Sequence, residues 1–397
     1  MEPPIKVGLL TGGGDKPYAF GLATALLSKG LCLDFVGSDD LDIPELHACP
    51  TLNFLKLRGS QTRDAALLTK AHRILSYYAR LLQYAWIAKP KIFHILWNNR
   101  FEYFDRTLLM LYYKSIGKRV VFTAHNVNAA KRDSRDSWWN RLTLKVQYRL
   151  TDHIFVHTER MKLELIQDFG VREQAVTVIP FGINNSAPQT LMTPAQARRS
   201  LGIKQDEKVM LFFGRIKPYK GLEFMVAAFQ KVAQQGGAYR LIIVGGAEKD
   251  LQVYLSDIQD TIARDPSCRQ IIQRTEFVPD EETELYFKAA DVLVLPYTQV
   301  FQSGVLFLAY SFGLPVIAAD VGSFRDDIIV GKTGYLCAPC NAAALAGAIA
   351  AYFDSDLFRS LDRRRQEIRD YACARNSWKI VSDKTCEVYA QLLEHTT

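Results

Sequence analysis

The chain has 397 residues, of which 48% are apolar and 23% charged, and its net charge is +7. At about 100–200 residues per domain, this length points to two domains, each able to bury a core without disulfide staples. Seven cysteines, an odd number spread from Cys32 to Cys386, fit a reducing cytoplasm better than a cross-linked secreted scaffold. The opening Met1-Glu2-Pro3-Pro4-Ile5-Lys6 has no apolar run of signal-peptide length. The longest apolar region, Val305–Ala319, is broken by Ser311, Gly313 and Pro315 and falls short of the ~20 residues that cross a bilayer. Membrane contact is therefore expected to be peripheral. Residues 1–184 carry 25 Lys/Arg against 17 Asp/Glu, and residues 185–397 carry 24 against 25. The positive excess sits in the first half and suits an anionic partner, such as a membrane surface or a phosphorylated acceptor. No nucleic-acid-binding motif accompanies it.

The first half alternates short β-rich runs with amphipathic stretches. Strands are predicted at Lys6–Leu10, Leu33–Val36, Ile92–Leu96, Arg119–Thr123, His153–Val156 and Val176–Ile179, and helices at Tyr18–Lys29, Thr62–Ala88 and Asp105–Ile116. Phe181–Pro194, rich in Gly, Asn and Pro, reads as a linker. The alternation then restarts, with strands at Val209–Phe213, Tyr239–Val244, Val292–Leu295 and Val316–Ala318. Helices follow at Leu222–Gln234, Glu281–Ala289 and Ala342–Phe353. Such alternation indicates parallel sheets covered by helices. The expected domains are 1–184 and 185–375. Ligands of open α/β sheets sit beyond the carboxyl ends of the strands, so the two are expected to hold donor and acceptor on opposite walls of a cleft.

Gly12-Gly13-Gly14 follows the first strand and precedes a helix, where glycines let backbone amides approach phosphate or sugar oxygens. It is not a dinucleotide fingerprint, because Pro17 takes the place of the last glycine. Gly214-Arg215-Ile216-Lys217-Pro218-Tyr219-Lys220-Gly221 joins a strand to a helix and carries three cations, the combination a pyrophosphate needs. Lys131–Arg149 holds six basic and two acidic residues together with Trp138 and Trp139, a mixture suited to a membrane interface. Within it, Trp138, Trp139, Arg141 and Lys145 are candidates for contact with a membrane or an acceptor. Three patterns are set aside. Asp40-Leu41-Asp42 lies in a polar loop, Cys337-Ala338-Pro339-Cys340 has no second ligand pair nearby, and Gly331-Lys332-Thr333 lacks the first P-loop glycine.

Gly214-Arg215 with Lys220-Gly221 resembles the donor-phosphate loop of the retaining GT-B glycosyltransferases of family 4. The likeness continues through Ile243–Gly246, Phe277-Val278-Pro279, Ala290–Val292, Leu295-Pro296, Gly313–Ala318 and Gly331–Tyr335. It is looser in the first half, through the glycine loop, Thr123-Ala124-His125-Asn126 and Val178–Gly182. Ser377–Tyr389 is similar to the family's closing helix, which implies that residues 376–397 cross back onto the first domain.

The resemblance implies a GT-B fold, a nucleotide-diphosphate sugar donor, no metal or other cofactor, and retention of anomeric configuration. It assigns Arg215 and Lys220 to the donor pyrophosphate and His125 to the neighbourhood of the reacting sugar. Gly13, Gly14, Gly214, Gly245, Phe277 and Val278 border the donor. The family's two glutamates are replaced by Phe301 and Ala309, and the intervening segment reads Gln302-Ser303-Gly304-Val305. The side chains of Gln302 and Ser303 and the amides of Gly304 and Val305 remain to bind sugar hydroxyls or phosphate. The expected activity is transfer of a hexosyl unit to a lipid-linked or saccharide acceptor in surface polysaccharide or glycolipid assembly. The expected location is cytoplasmic, peripheral on the inner face of the membrane. The missing glutamates support an alternative reading, a non-catalytic GT-B subunit that binds a glycan or a partner enzyme.

Overall fold

The computed structural model describes residues 4–42, 44–47, 49–59, 67–133, 135–184 and 187–394. Residues 62–66 of the second expected helix, Ser134 of the basic segment, and Asn185, where the second domain is expected to begin, lie outside the described residues. The chain divides into two compact units, Met1–Gly182 with Asn376–Thr397, and Ile183–Arg375.

The first unit is built on seven parallel strands. They are β1 (Lys6–Leu10), β2 (Cys32–Val36), β3 (Leu52–Leu55), β4 (Ile92–Ile95), β5 (Arg119–Thr123), β6 (His153–Val156) and β7 (Val176–Val178), in the order β3-β2-β1-β4-β5-β6-β7. The second has six parallel strands. They are β8 (Lys208–Phe213), β9 (Tyr239–Val244), β10 (Ile271–Arg274), β11 (Val292–Leu295), β12 (Val316–Ala319) and β13 (Gly334–Cys337), in the order β10-β9-β8-β11-β12-β13. Each unit is a Rossmann-like domain, as expected. The chain winds outward one way from β1 and from β8, then returns and winds the other way. This places a topological switch point between β1 and β4 and another between β8 and β11, where open α/β sheets hold ligands.

Local sequence explains the boundaries. The central strands β4, β6, β11 and β12 are buried along their whole length, which is why β11 and β12 read as unbroken apolar runs and β4 and β6 carry only a single histidine each. Asp15 caps the helix Lys16–Ser28 by accepting from the Tyr18 amide, and Pro17 sits in its first turn, where no amide is needed. Thr193 and Gln196 form a reciprocal capping box at the start of Pro194–Ser200. The last helix, Trp378–Glu394, packs within the first unit. There the Trp378 indole fills the space left by Gly21 and Gly182, and the Tyr389 hydroxyl meets His94 Nδ1 at 2.6 Å.

Candidate active site

The loop after β8 carries the cationic residues. Gly214 has φ of +103°, and a Cβ there would lie 2.9 Å from Lys220 Nζ and 3.4 Å from Val305 Cγ2. The glycine is thus required for its left-handed backbone, and a side chain on it would push the lysine tip aside. Lys220 is buried, and its ammonium stands 5.5 Å from the centre of the Tyr297 ring. Arg215 differs: its side chain is 68% exposed and pairs with Glu248 at 3.3 Å. Gly245, after β9, has φ of +139°, and a Cβ on it would overlap the Gly214 carbonyl. Gly246 in turn lies against the backbone of Glu276 and Phe277. The ends of β8, β9 and β10 therefore form one continuous rim. Phe277 is exposed on that rim and Val278 is buried beneath it.

The segment after β11 closes the other side of the switch point. The Thr298 amide donates to the Tyr219 carbonyl at 2.8 Å, tying this segment to the lysine loop. Ser303 is buried at the N-terminus of the helix Gly304–Ser311, whose first residues Gly304 and Val305 are half-buried. Gln302 donates through Nε2 to Asp327 at 3.2 Å, while its Oε1 is enclosed without a partner. Burial pushes the Asp327 carboxyl up to about 6. Phe301 is half-buried and Ala309 is fully buried, so neither place of the absent glutamates carries a polar group. Lys220, Gly214 and Val305 thus come together at the switch point, with Ser303 and Gln302 following Tyr297 on the same segment.

In the first unit the glycine loop takes a form the sequence did not foretell. The Gly13 and Gly14 amides both turn back to the Thr11 carbonyl, at 2.7 and 3.4 Å. A Cβ on Gly13 would overlap the Arg58 guanidinium, and one on Gly14 the Trp97 indole. These glycines make room for two side chains. Trp97, just beyond β4, stacks on His125, just beyond β5, with ring centres 4.1 Å apart and planes 6° apart. Tyr18 meets His125 edge-on at 4.5 Å.

His125 bonds through Nδ1 to His157 Nε2 at 2.9 Å, and His157 Nδ1 faces the Ile179 carbonyl at 3.3 Å. A carbonyl only accepts, so His157 carries its proton on Nδ1 and accepts at Nε2. His125 then carries its own proton on Nδ1. Its Nε2 is left as an enclosed, unpaired acceptor. Burial drives both rings toward neutrality, His125 well below its ordinary range and His157 to about 4. Trp97, His157 and Arg58 were not singled out in the sequence. Their position just past strand carboxyl ends was the available signal.

Trp138 and Trp139 open the helix Trp138–Leu150, are 66% and 63% exposed, and pack edge-on at 4.7 Å. Arg141 pairs with Asp136 at 2.6 Å, and Lys145 is exposed. Trp138, Arg141 and Lys145 line a pocket of about 230 Å³ with Lys131, Asn128 and Phe169. The segment that precedes β5 also presents apolar side chains to solvent, at Phe101, Tyr103, Leu108 and Leu111. Among the described residues no helix is long and apolar enough to cross a membrane, and no three metal-ligating side chains are grouped.

Comparison with known proteins assigns these domains. Residues 13–186 match the family model described as Glycosyltransferase Family 4, and residues 207–355 match that described as Glycosyl transferases group 1. A D-inositol 3-phosphate glycosyltransferase of Nocardia farcinica is 29% identical over 293 residues, 69% of this chain and 61% of the relative. The chain spans less than two thirds of the length of the curated relatives it matches. Among solved structures, a sucrose-phosphate synthase from Thermosynechococcus elongatus superposes with a TM-score of 0.78 at 20% identity, covering 98% of this chain and all of its own. Anabaena HepE in complex with UDP and glucose superposes at 0.75 and 17% identity, with 98% and 100% covered. The chain therefore belongs with the glycosyltransferases of GT-B fold, a Family 4 domain followed by a group 1 domain.

Proposed function

We propose that this glycosyltransferase moves a hexosyl unit from a nucleotide-diphosphate sugar to a lipid-linked or saccharide acceptor, with retention, in surface polysaccharide or glycolipid assembly. The observation that carries the donor assignment is Lys220, a buried ammonium at the switch point of the second sheet, backed by Tyr297 and admitted by Gly214. As the bond from the anomeric carbon to the phosphate oxygen breaks, its electron pair stays on the diphosphate. A preorganised cation beside that oxygen stabilises the developing charge without reorganisation. Arg215 adds a mobile, forked donor at the rim. Ser303 and the first amides of Gly304–Ser311 supply hydrogen bonds where the two carboxylates are absent. HepE structures that hold UDP and UDP-glucose support a donor of this chemistry.

His125 serves the sugar end. Its enclosed Nε2 accepts a hydrogen bond from a hydroxyl of the incoming ligand, and His157 and the Ile179 carbonyl fix the tautomer. Trp138, Trp139, Arg141 and Lys145, with the neighbouring exposed apolar residues, form the surface through which the enzyme rests on an anionic bilayer. This supports a peripheral cytoplasmic location and a lipid-linked acceptor.

The test is a thermal-shift screen with UDP, GDP, ADP and CMP and their sugar conjugates, since a ligand of the folded state raises the midpoint by mass action. One nucleotide is expected to raise it, and Lys220→Ala is expected to abolish the rise. A chain that responds to none of them does not use a nucleotide donor.

A further inference from the structure

The geometry points to a second anion site in the first unit: Arg58 recognises an oxyanion, a phosphate or carboxylate, carried by the acceptor. This inference rests on the acceptor-side role proposed for the first unit and names the chemistry that unit selects. Arg58 lies three residues past β3, and its guanidinium sits directly on the Gly13 α-carbon, in the loop beyond β1. It is fixed there from two further directions. The Tyr77 ring lies 5.1 Å from its central carbon, and Asn99 Oδ1 accepts from Nη2 at 3.4 Å.

Asn99 is itself held. Its amide N–H and its Nδ2 donate to the two oxygens of Asp105 at 2.7 and 3.3 Å, and the Tyr77 hydroxyl donates to its Oδ1 at 2.6 Å. Asp105 is buried and accepts from the Tyr78 hydroxyl at 3.0 Å. A carboxylate so placed sets the orientation of Asn99, and through it the plane of the guanidinium. Among the described residues no carboxylate lies within ion-pair distance of Arg58. Among the described residues this half-buried arginine is held by Tyr77 and a neutral amide, and the buried Asp105 acts on it only at longer range, so its forked N–H donors are not consumed by a directly contacting carboxylate there.

The neighbours favour an acceptor over a bare ion. Gly13, against which Arg58 rests, adjoins Gly14, against which Trp97 rests, and Trp97 stacks on His125. One loop therefore joins a cationic fork to an aromatic face and a histidine. That set suits a ligand with an anionic end and a hydroxylated ring. The loop amides are already bonded to Thr11, so the glycines serve as a seat for the arginine and the anion-binding group is the side chain.

The test uses the full chain carrying Arg215→Ala and Lys220→Ala, which silences the donor loop. Glucose 6-phosphate is titrated by calorimetry, and vesicles of phosphatidylcholine with and without phosphatidylglycerol are tested by co-sedimentation. Adding Arg58→Gln is expected to weaken glucose 6-phosphate binding at least tenfold, and Arg58→Lys to restore part of it. Arg58 dependence confined to phosphatidylglycerol vesicles assigns the oxyanion to a lipid-borne acceptor. Unchanged binding of both probes in Arg58→Gln, with an unaltered melting point, overturns the proposal. Should Arg58→Gln fail to fold, Arg58→Lys carries the test, because a point charge in place of the fork is expected to weaken glucose 6-phosphate binding severalfold. Equal affinity then overturns the proposal. Failure of every nucleotide to shift the melting point bears on the donor reading and leaves this titration unaffected.

Discussion

Lys220 and Gly214 act as one unit. The lysine tip occupies the space that a side chain at 214 would need, and φ of +103° is costly for any residue with a Cβ. Lys220→Ala removes the charge and is expected to weaken nucleotide-diphosphate binding by about 2 kcal/mol, roughly thirtyfold. Gly214→Ala keeps the charge but displaces it, and is expected to weaken binding comparably while lowering the melting point. Arg215→Ala is expected to cost less, because that side chain is exposed and shares Glu248 with Lys217. Calorimetric titration of the preferred nucleotide ranks the three. A larger loss for Arg215→Ala than for Lys220→Ala would overturn the ordering. The buried histidines add a pH dependence. His157 is held neutral from its ordinary 6.5 down to about 4, so its contribution to stability is present above 6.5 and is lost as pH falls through 4. For that one ring the loss between pH 7 and pH 5 is about 2 kcal/mol. His94, pushed down to about 3 by burial, acts in the same direction. The midpoint of urea unfolding should fall between those pH values in wild type and fall less in His157→Gln. A pH-independent midpoint would show that the ring is solvated.

At the level of elements, the central strands were plain in the sequence, whereas of the four edge strands only β7 was foreseen. β1, β5, β6, β9 and β11 appear at the expected bounds, because a strand buried on both faces carries a short aliphatic or β-branched run, with polar residues confined to its ends or to a single half-buried position such as Arg240. The three strands not foreseen are β3, β10 and β13, and each lies at a sheet edge. Leu52–Leu55 and Ile271–Arg274 are only partly buried and contain Asn53, Gln273 and Arg274, so their pattern is diluted. Gly334–Cys337 opens on a glycine packed against the Val316 carbonyl, a requirement invisible without its neighbour. The site was legible to the same degree. Gly214–Lys220 announces itself by composition, and Gln302–Val305 was reached only through the family resemblance. Arg58, Trp97 and His157 do not, because each acquires its meaning from a loop far away in sequence. The helix Trp138–Leu150 offers a prediction at this scale. Its exposed first turn and basic face should bind vesicles containing anionic lipid. Trp138→Ala with Trp139→Ala should reduce co-sedimentation severalfold at any salt, whereas Arg141→Gln with Lys145→Gln should matter chiefly at low ionic strength. Binding unaffected by both pairs would retire the surface as a membrane contact.

At the scale of the whole molecule, the chain leaves the first unit after Gly182 and re-enters it at Asn376, so the last helix belongs to the stability of the first unit. Trp378 packs against Gly21, Gly182 and Tyr18, and Tyr389 is fully buried with its hydroxyl on His94. Asn376 and Lys384 donate to the carbonyls of Phe181 and Val178, and Lys29 pairs with Asp383. Two units with separate cores are not bound to unfold as one, so denaturation should show two transitions. Trp378→Ala leaves a cavity at a site of close packing and should lower the first unit's stability by about 3–5 kcal/mol. Lys220→Ala, in the other unit, should leave that transition where it is. Nucleotide, bound at the second unit's switch point, should raise only the second transition, by an amount that follows RT ln(1 + [L]/Kd). Following tryptophan fluorescence in a urea series, with and without the preferred nucleotide, separates the two. All five tryptophans lie in 1–182 and 376–397, so the signal reports the first unit directly, and circular dichroism reports both. If Trp378→Ala shifts the circular-dichroism transitions together, the last helix couples the units into a single cooperative body. A nucleotide-dependent shift in tryptophan fluorescence would then measure the strength of that coupling.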